Sequence, residues 1–303
     1  MNEIFARDFF GYGDNPPHAQ WPDNARVAVS FVLNVEEGAE LTITAGDSRN
    51  ESVYEIVEEV IGAPDFAMES HFEYGTRVGY WRMMKLFDKF GIKTTLNACV
   101  RALERSPWLA RDAVARGHEI SCHGYRWENQ VFMKEQQERE MIHRCVRSIT
   151  ELTGIRPVGW HTRSAPSVNT RRLLVEEGGF LYDSNEYNDD LPYVVQVEDK
   201  PMIILPYSFD TNDMRFFNGR GFTHASDFSR YCIDAFDWLW EEGIHRPKMM
   251  TIGLHLRVMG RPARMKGLKV FLEHIRNKGG TWVARRDEIA QHWVRRIGLD
   301  YSG

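Results

Sequence analysis

The sequence predicts a single α/β domain built as a parallel β/α barrel. Apolar, strand-like segments alternate with amphipathic, helix-like segments along nearly the whole chain, in about eight repeats. No low-complexity stretch or linker of changed composition divides these repeats, so we assign residues 26–303 to the barrel and residues 1–25 to an N-terminal arm. An open, doubly wound sheet is the alternative architecture. It is less favoured because no Gly-rich phosphate-binding fingerprint follows the first strand.

In the first half of the chain, strands are predicted where Val, Ile, Phe and other apolar residues run together, and helices where apolar residues recur at helical spacing. The predicted strands are residues 26–36, 94–100, 118–122, 157–161 and 180–182. The predicted helices are residues 52–61, 78–90, 107–116, 134–153 and 170–177. Gly91 supplies the C-terminal cap of the second helix, and Ser106 followed by Pro107 begins the third.

The second half of the chain continues the same alternation. Its predicted strands are residues 202–206, 249–255 and 281–284. Its predicted helices are residues 225–242, 264–278 and 286–296. Because strand and helix follow one another as in the first half, these elements are expected to complete the same barrel.

Composition and charge argue against several classes of protein. The chain has 38 Lys and Arg against 43 Asp and Glu, a formal net charge of −5, which is unsuited to sequence-independent binding of nucleic acid. No apolar run reaches the roughly 18 residues of a membrane span. No secretory signal is recognised at the N-terminus, so we expect a cytoplasmic protein. The scattered cysteines are expected to be reduced thiols, not a zinc module: Cys99, Cys122, Cys145 and Cys232.

Polar and ionisable residues follow most of the predicted strands. Because the carboxyl ends of parallel strands meet at one face of a barrel, these side chains are predicted to converge there. Carboxylates, imidazoles and guanidinium groups in that position suit general acid–base catalysis, although each residue taken singly is also compatible with a structural role. The candidates are Asn34, Glu36, Glu37, His123, Trp127, His161, Arg163, Asp210, Asn212, Asp213, His255 and Arg257.

This set, in this order, resembles the polysaccharide deacetylase superfamily, carbohydrate esterase family four, whose fold is a distorted β/α barrel. That family carries an Asp-Asp pair after its first strand and His-x-x-x-His after a later one. The first Asp serves as base, the second Asp and the two His bind a zinc-type ion, and a late His acts as acid. Here the pair is represented by Asn34 and Glu36–Glu37, His123 keeps the first metal His, Trp127 stands four residues on, and His255 matches the acid.

A closer resemblance is to the metal-independent allantoinase branch of that superfamily, which acts in urate catabolism. It is carried by the segments GYGDNPPH, FVLNVEEGAE, MESHFEYGTRVGYWR, CHGYRW, EEGGFLYDS, DDLPY, DTNDMRF and GLHLRVMGRPAR. Residues 160–169 and His71 depart from that branch. The resemblance implies hydrolysis of a C–N bond in a cyclic amide such as allantoin, and a homo-oligomer, with a tetramer expected.

The donors needed for a metal are incomplete. A tight zinc site usually has three protein ligands and a water molecule. Glu36 and His123 provide two ligands, and Trp127 cannot provide a third. We therefore expect no cofactor and no tightly bound metal, with zinc or another divalent ion as the alternative if His71 or His161 completes the set.

Metal-free hydrolysis assigns a role to each candidate. Glu36 is the predicted base, because the amide of Asn34 cannot take a proton at neutral pH, and His255 is the predicted acid. His123 is predicted to orient water or to share the oxyanion with Arg163. The predicted substrate-binding residues are Asn34, Glu37, Trp127, His161, Asp210, Asn212, Asp213 and Arg257. The structural alternatives are an ion pair of Glu36 with Arg163 or Arg257, a buried His123 bonded to a backbone carbonyl, and a self-bonded turn over residues 210–213.

The sequence thus predicts a hydrolase whose partner is a small cyclic ureide or imide, with no nucleic acid and no membrane involved. Two alternatives stay open. A metal-dependent N-deacetylase of small amino sugars or chitooligosaccharides would contain zinc and lose activity with a chelator. A non-catalytic barrel would bind a ureide or an oligosaccharide without turning it over.

Overall fold

A computed structural model describes residues 7–52, 58–217, 219 and 221–299 of the chain. In these residues the strands are β1 (Val27–Val35), β2 (Thr95–Ala98), β3 (Glu119–Cys122), β4 (Gly159–Trp160), β5 (Tyr182–Asp183), β6 (Tyr193–Val197), β7 (Lys200–Ile204), β8 (Lys248–His255) and β9 (Thr281–Val283). The helices are α1 (Phe66–Tyr74), α2 (Tyr80–Phe90), α3 (Val100–Arg105), α4 (Pro107–Ala115), α5 (Glu135–Thr153), α6 (Thr170–Glu177), α7 (Ala225–Glu242), α8 (Leu256–Met259), α9 (Pro262–Lys278) and α10 (Arg286–Ile297).

The described strands form one curled sheet in a single α/β domain, as the sequence predicts. The strands are hydrogen-bonded in the order β6-β7-β5-β4-β3-β2-β1-β8, and β9 pairs with β1. Every pairing is parallel except that of β6 with β7. The carboxyl ends of the parallel strands therefore lie on one face of a distorted barrel.

Strand β1 pairs with three other strands and is buried on both faces. Its sequence VAVSFVLNV is apolar except for Ser30 and Asn34, and all nine residues are buried. One edge of β1 pairs with β8 over residues 27–34. The other edge is shared, because β9 pairs with residues 27–29 and β2 with residues 32–35. This division of one edge between two short strands distorts the barrel.

The segment that follows β7 reaches β8 across the open side of the sheet. Asn212 forms an isolated parallel bridge with Gly253. The backbone N–H of Gly253 donates to the carbonyl oxygen of Thr211 at 3.0 Å, and the Thr211 hydroxyl donates to the carbonyl of Thr251 at 2.5 Å. These contacts hold residues 211–213 beside the end of β8, which places Asp213 next to His255.

The helical region before β2 is longer than predicted. The prediction covered residues 78–90, whereas α1, one turn of π-helix over Gly75–Gly79, and α2 form a continuous helical segment. Gly79 is required where this segment passes α8, because a Cβ on Gly79 would lie 2.2 Å from the carbonyl oxygen of Leu256. The wide π turn has no marked apolar period, which explains why the pattern identified only its second half.

Three further elements of the structure were not predicted, and one predicted helix can be compared with the structure only in part. The sequence analysis missed α3, α8 and β6. Strands β6 and β7 form a hairpin whose two connecting residues, Glu198 and Asp199, both have positive φ. Of the predicted helix at residues 52–61, residues 53–57 lie outside the described residues, and residues 58–61 are described and are not helical. All four cysteines are buried free thiols, and no helix of the described chain is long and apolar enough to cross a membrane.

Candidate active site

Four strand ends bring one carboxylate and three imidazoles to the same face of the barrel. Glu36 follows β1, His123 follows β3, His161 follows β4, and His255 is the last residue of β8. In the sheet register Asn34 lies opposite His255, so Glu36 comes directly after that level. All four side chains are buried. The structure therefore places these predicted residues together.

Glu36 is the centre of the cluster. Its Oε1 lies 3.4 Å from Nε2 of His255 and 3.6 Å from Nε2 of His123. Its Oε2 accepts a hydrogen bond from the Arg257 guanidinium at 2.6 Å. Burial alone would raise the pKa of Glu36, but the positive charges of His255 and Arg257 hold that pKa well below its usual range. The side chain is therefore a carboxylate at neutral pH.

His255 is held by a second carboxylate, that of Asp213. Asp213 Oδ1 lies 2.6 Å from Nδ1 of His255, and Oδ2 accepts from the backbone N–H of His255 at 2.8 Å. Burial alone would lower the pKa of His255, but the negative charges of Glu36 and Asp213 raise it to about 10. His255 is thus an imidazolium at neutral pH, with Nδ1–H fixed by Asp213 and Nε2–H directed towards Glu36.

His123 and His161 form a stacked pair of imidazoles. Their ring centroids are 5.2 Å apart with an interplanar angle of 2°. His123 Nδ1 lies 2.6 Å from the carbonyl oxygen of His161, and His161 Nδ1 lies 2.8 Å from that of Ser184. Since a carbonyl only accepts, both Nδ1 atoms carry hydrogen. Burial and the neighbouring His123 hold the pKa of His161 well below its usual range, so His161 is neutral.

Arg257 supplies a buried positive charge beside Glu36. Its guanidinium carbon lies 4.2 Å from the centroid of the Phe72 ring and 5.1 Å from that of Trp127, so aromatic faces cover it. Its backbone N–H donates to Oε1 of Glu37 at 3.1 Å. Burial raises the pKa of Glu37 to about 7, against the opposing effect of Arg257. Arg257 is thus the arginine that pairs with Glu36.

Arg163 lies elsewhere, and the predicted sharing of the oxyanion between Arg163 and His123 does not agree with its contacts. Its NH1 and NH2 donate to the two carboxylate oxygens of Glu51 at 2.9 and 3.0 Å. NH1 also donates to the carbonyl of Trp127 at 2.7 Å, and the guanidinium stacks 3.7 Å from the Trp127 ring. A guanidinium engaged in this way positions Trp127. The alternative of an ion pair of Glu36 with Arg163 or Arg257 is met by Arg257.

The polar residues 210–213 separate into different environments, and the predicted substrate-binding cluster is not formed. Asp210 is exposed and accepts a hydrogen bond from the Tyr231 hydroxyl at 2.7 Å. Asn212 is buried and accepts from the backbone N–H of Met214 at 2.9 Å, so it caps the following turn. Asp213 binds His255. The segment enters the barrel after Asp210, so Asp210 stays at the surface while Asn212 and Asp213 are buried beside β8.

Beneath the cluster, Asn34 is a structural hydrogen-bond donor. Its Nδ2 donates to the Tyr207 hydroxyl at 3.1 Å and to the carbonyl of Leu254 at 3.2 Å. Tyr207 also accepts from Asn212 at 3.3 Å, and its ring centroid lies 4.5 Å from that of His161. Asn34 therefore fixes the floor of the site through Tyr207, a residue that sequence reasoning missed.

Comparison with known proteins decides the family. The family model described as polysaccharide deacetylase matches residues 63–179. A Schizosaccharomyces pombe protein whose name places it among the polysaccharide deacetylases is 38% identical over 95% of this chain and 97% of its own length. The chain belongs to the polysaccharide deacetylase family. The resemblance identified in the sequence is therefore confirmed at the level of the family.

Two further proteins that are similar to this chain differ in name. The peptidoglycan deacetylase of Helicobacter pylori is 30% identical and covers 74% of this chain and 86% of its own length. The crystal structure of PuuE allantoinase is 47% identical, has a TM-score of 0.93, and covers 98% of this chain and 99% of its own. This polysaccharide deacetylase family member is thus a hydrolase that acts on carbon–nitrogen bonds other than peptide bonds.

The donor set of this family member does not fit the zinc-type ion of the superfamily. Among the described residues, no group of three or more His, Cys, Asp or Glu side chains is arranged to hold a metal ion. Oε2 of Glu36 is bound by Arg257, and Trp127 occupies the position of the second metal His. Of the two alternative third ligands, His71 has its Nδ1 3.1 Å from NH2 of Arg261, and the ring of His161 stacks parallel to that of His123. One oxygen of the Glu36 carboxylate is thus occupied by a guanidinium, and the remaining donors among the described residues do not make up a metal-binding group.

Two residues of the family member's site were absent from the predicted set for different reasons. Tyr207 follows β7 in the segment LPYS, so the rule that selected the other candidates would have selected it as well. Glu51 has no sequence signal, because it meets Arg163 across 112 positions of chain. Asp213 was predicted to bind substrate, and the structure places it against His255.

Proposed function

We propose that this protein opens the ring of a cyclic ureide or imide by adding water across an amide C–N bond, with allantoin as the first candidate. The observation that carries the proposal is the buried set of Glu36, His255 and Arg257, in which an ionised carboxylate touches two cations. The 47% identity with PuuE allantoinase supports the substrate class.

In this mechanism Glu36 acts on water and His255 acts on the leaving nitrogen. A water molecule bonded to Glu36 attacks the ring carbonyl carbon, and its proton passes to the carboxylate as the C–O bond forms. The tetrahedral oxyanion then collapses, the ring C–N bond breaks, and the imidazolium of His255 gives its Nε2 proton to the nitrogen. The products are a carboxylic acid and a ureido or amide N–H, so that one water is consumed.

Charge balance explains why these residues can act without a metal Lewis acid. The carbonyl of a cyclic ureide is flanked by electron-withdrawing groups, and its ring nitrogen leaves more readily than an alkyl amine. Arg257 and His255 place two positive charges beside the position where negative charge develops. Because its pKa is low, Glu36 is a weak base that stays ionised and takes the proton only as the bond forms.

The test is a turnover screen of purified protein with chelator present and the metal content measured in parallel. We expect hydrolysis of allantoin, a hydantoin or a cyclic imide, with less than one metal ion per chain and no loss on chelation. The matched variants are Glu36→Gln, expected to reduce kcat by about 10³-fold, and the exposed Glu241→Gln, expected to leave it unchanged. If the metal-free protein left all three substrate classes intact, the proposal would be wrong.

A second candidate function follows from the names of two relatives, which are deacetylases. In this second candidate function the protein removes an N-acetyl group from a small amino sugar. It requires stoichiometric metal and loss of activity with chelator, so the same screen with N-acetylglucosamine oligomers decides between the two. Binding of a ureide without turnover would instead indicate a non-catalytic barrel.

A further inference from the structure

Asn97 has a buried amide group whose hydrogen-bonding atoms are not used by the protein. The residue lies on β2 and its side chain is 1% exposed. Neither Nδ2 nor Oδ1 of Asn97 has a hydrogen-bond partner among the described residues. Buried polar groups in folded proteins are nearly always bonded to protein or to ordered water, because leaving them unpaired is costly. An amide in this position therefore indicates a bound partner.

The register of the sheet shows where this amide points. Asn97 pairs with Asn34 on β1 and with Ser121 on β3. Residues that pair across neighbouring strands point to the same face, and Asn34 points into the barrel, where it bonds to Tyr207. The amide of Asn97 consequently faces the barrel interior, in the level directly beneath Glu36.

The spacing between these two levels suits one water molecule. Asn97 and Glu36 lie on neighbouring strands about 4.8 Å apart, and Glu36 is two residues, about 6.6 Å, further along, so their Cα atoms are about 8 Å apart. Two successive hydrogen bonds of about 2.9 Å span about 5.8 Å, and the two inward-pointing side chains span the remainder. A water molecule can accept from Asn97 Nδ2 and donate to the Glu36 carboxylate, and these are the roles that the two side chains require.

We propose that Asn97 binds a water molecule inside the barrel beneath Glu36, and that this water supplies the nucleophile for hydrolysis. The catalytic part rests on the proposed function, whereas the binding of water does not. A substrate seated over the strand ends closes the site to solvent from above. Water held from below is then positioned against Glu36 before the substrate arrives, and Asn97 is a positioning residue.

A crystal structure of the free protein at high resolution tests the water site directly. We expect a water oxygen within hydrogen-bond distance of both Asn97 and Glu36. Asn97 atoms bonded to protein groups, or no ordered water beside them, would overturn the proposal. This result does not depend on activity, so a protein that hydrolyses no cyclic ureide or imide refutes the proposed function and leaves the water site to be judged by the crystal.

Substitutions test the catalytic part. Asn97→Leu keeps the size and removes the amide, so we expect kcat to fall about tenfold while KM stays within about twofold, as for loss of one hydrogen bond. Asn97→Ser restores a polar group with room for water and should recover most of kcat. The control is Leu96→Ala, because Leu96 is the adjacent buried residue on β2 and packs in the apolar core.

Three outcomes would overturn the catalytic part. A rise in KM with unchanged kcat would show that Asn97 binds substrate instead of water. An equal fall of kcat in Leu96→Ala would show that loss of packing in β2 is responsible. If Asn97→Leu does not fold, Asn97→Ser takes its place: a crystal structure without water beside the serine, together with unchanged kcat, would refute the role.

Discussion

The contact between Asp213 and His255 offers a sharp test of the acid assigned to this site. Asp213 accepts from both Nδ1 and the backbone N–H of His255, at 2.6 and 2.8 Å. In Asp213→Asn one oxygen becomes an NH2 group, which cannot accept. The variant keeps the shape of the side chain and removes its negative charge. At one of the two contacts with His255, the new NH2 group faces an N–H group, so no hydrogen bond can form there. Glu36 is then the one carboxylate still in contact with His255.

The size of the effect follows from the raised pKa. One pKa unit corresponds to about 1.4 kcal/mol. The rise of the His255 pKa from 6.5 to about 10 therefore represents a net stabilisation of the imidazolium by about 5 kcal/mol, to which Glu36 and Asp213 contribute against burial. If Asp213 supplies about half of it, the pKa of His255 in the variant falls to about 8, so kcat is nearly unchanged near pH 7 and about tenfold below that of the wild type near pH 9.

The assay is the pH dependence of kcat and kcat/KM for a cyclic ureide, measured between pH 6 and pH 11. In the wild type an imidazolium acid loses its proton only near pH 10, so activity should persist to that pH. In Asp213→Asn the alkaline limb should move down to about pH 8. The exposed Asp234→Asn is the control. An unchanged alkaline limb in Asp213→Asn would refute the role of His255 as the acid.

The remaining predictions concern stability and metal binding. Because the folded pKa of His255 is raised, its contribution to the free energy of unfolding is full below about pH 6.5 and is lost as pH rises through about 10, which denaturant titrations across that range will measure. Trp127→His restores the family's spacing of metal ligands, but Arg257 still binds Glu36, so elemental analysis should find no stoichiometric zinc. One zinc per chain would contradict the conclusion that Arg257 prevents Glu36 from binding a metal. Leu33→Ala, in the fully buried β1, should lower the free energy of unfolding by about 2–5 kcal/mol in urea titrations, and a loss below 1 kcal/mol would contradict the close packing of Leu33 in the core.

The fold class was predictable because its signals are local. The apolar run of β1 and the capped helix that ends at Gly91 are each encoded by residues that are neighbours in the chain. The same rule, applied to strand ends, found Glu36, His123 and His255. The local sequence pattern did not predict the elements whose apolar residues have no clear period, namely the π turn over Gly75–Gly79 and the hairpin that turns at Glu198 and Asp199.

The sequence by itself determined the alternation of strands and helices, the family, and the identity of the ionisable residues that follow the strands. Only the tertiary structure decided which of them interact. It pairs Glu36 with Arg257, moves Arg163 to Glu51, and sets Asp213 against His255. These contacts join positions up to 221 residues apart. They depend on strand register and on the segment that bridges the barrel, which bring side chains within hydrogen-bond distance by geometry that no local pattern records.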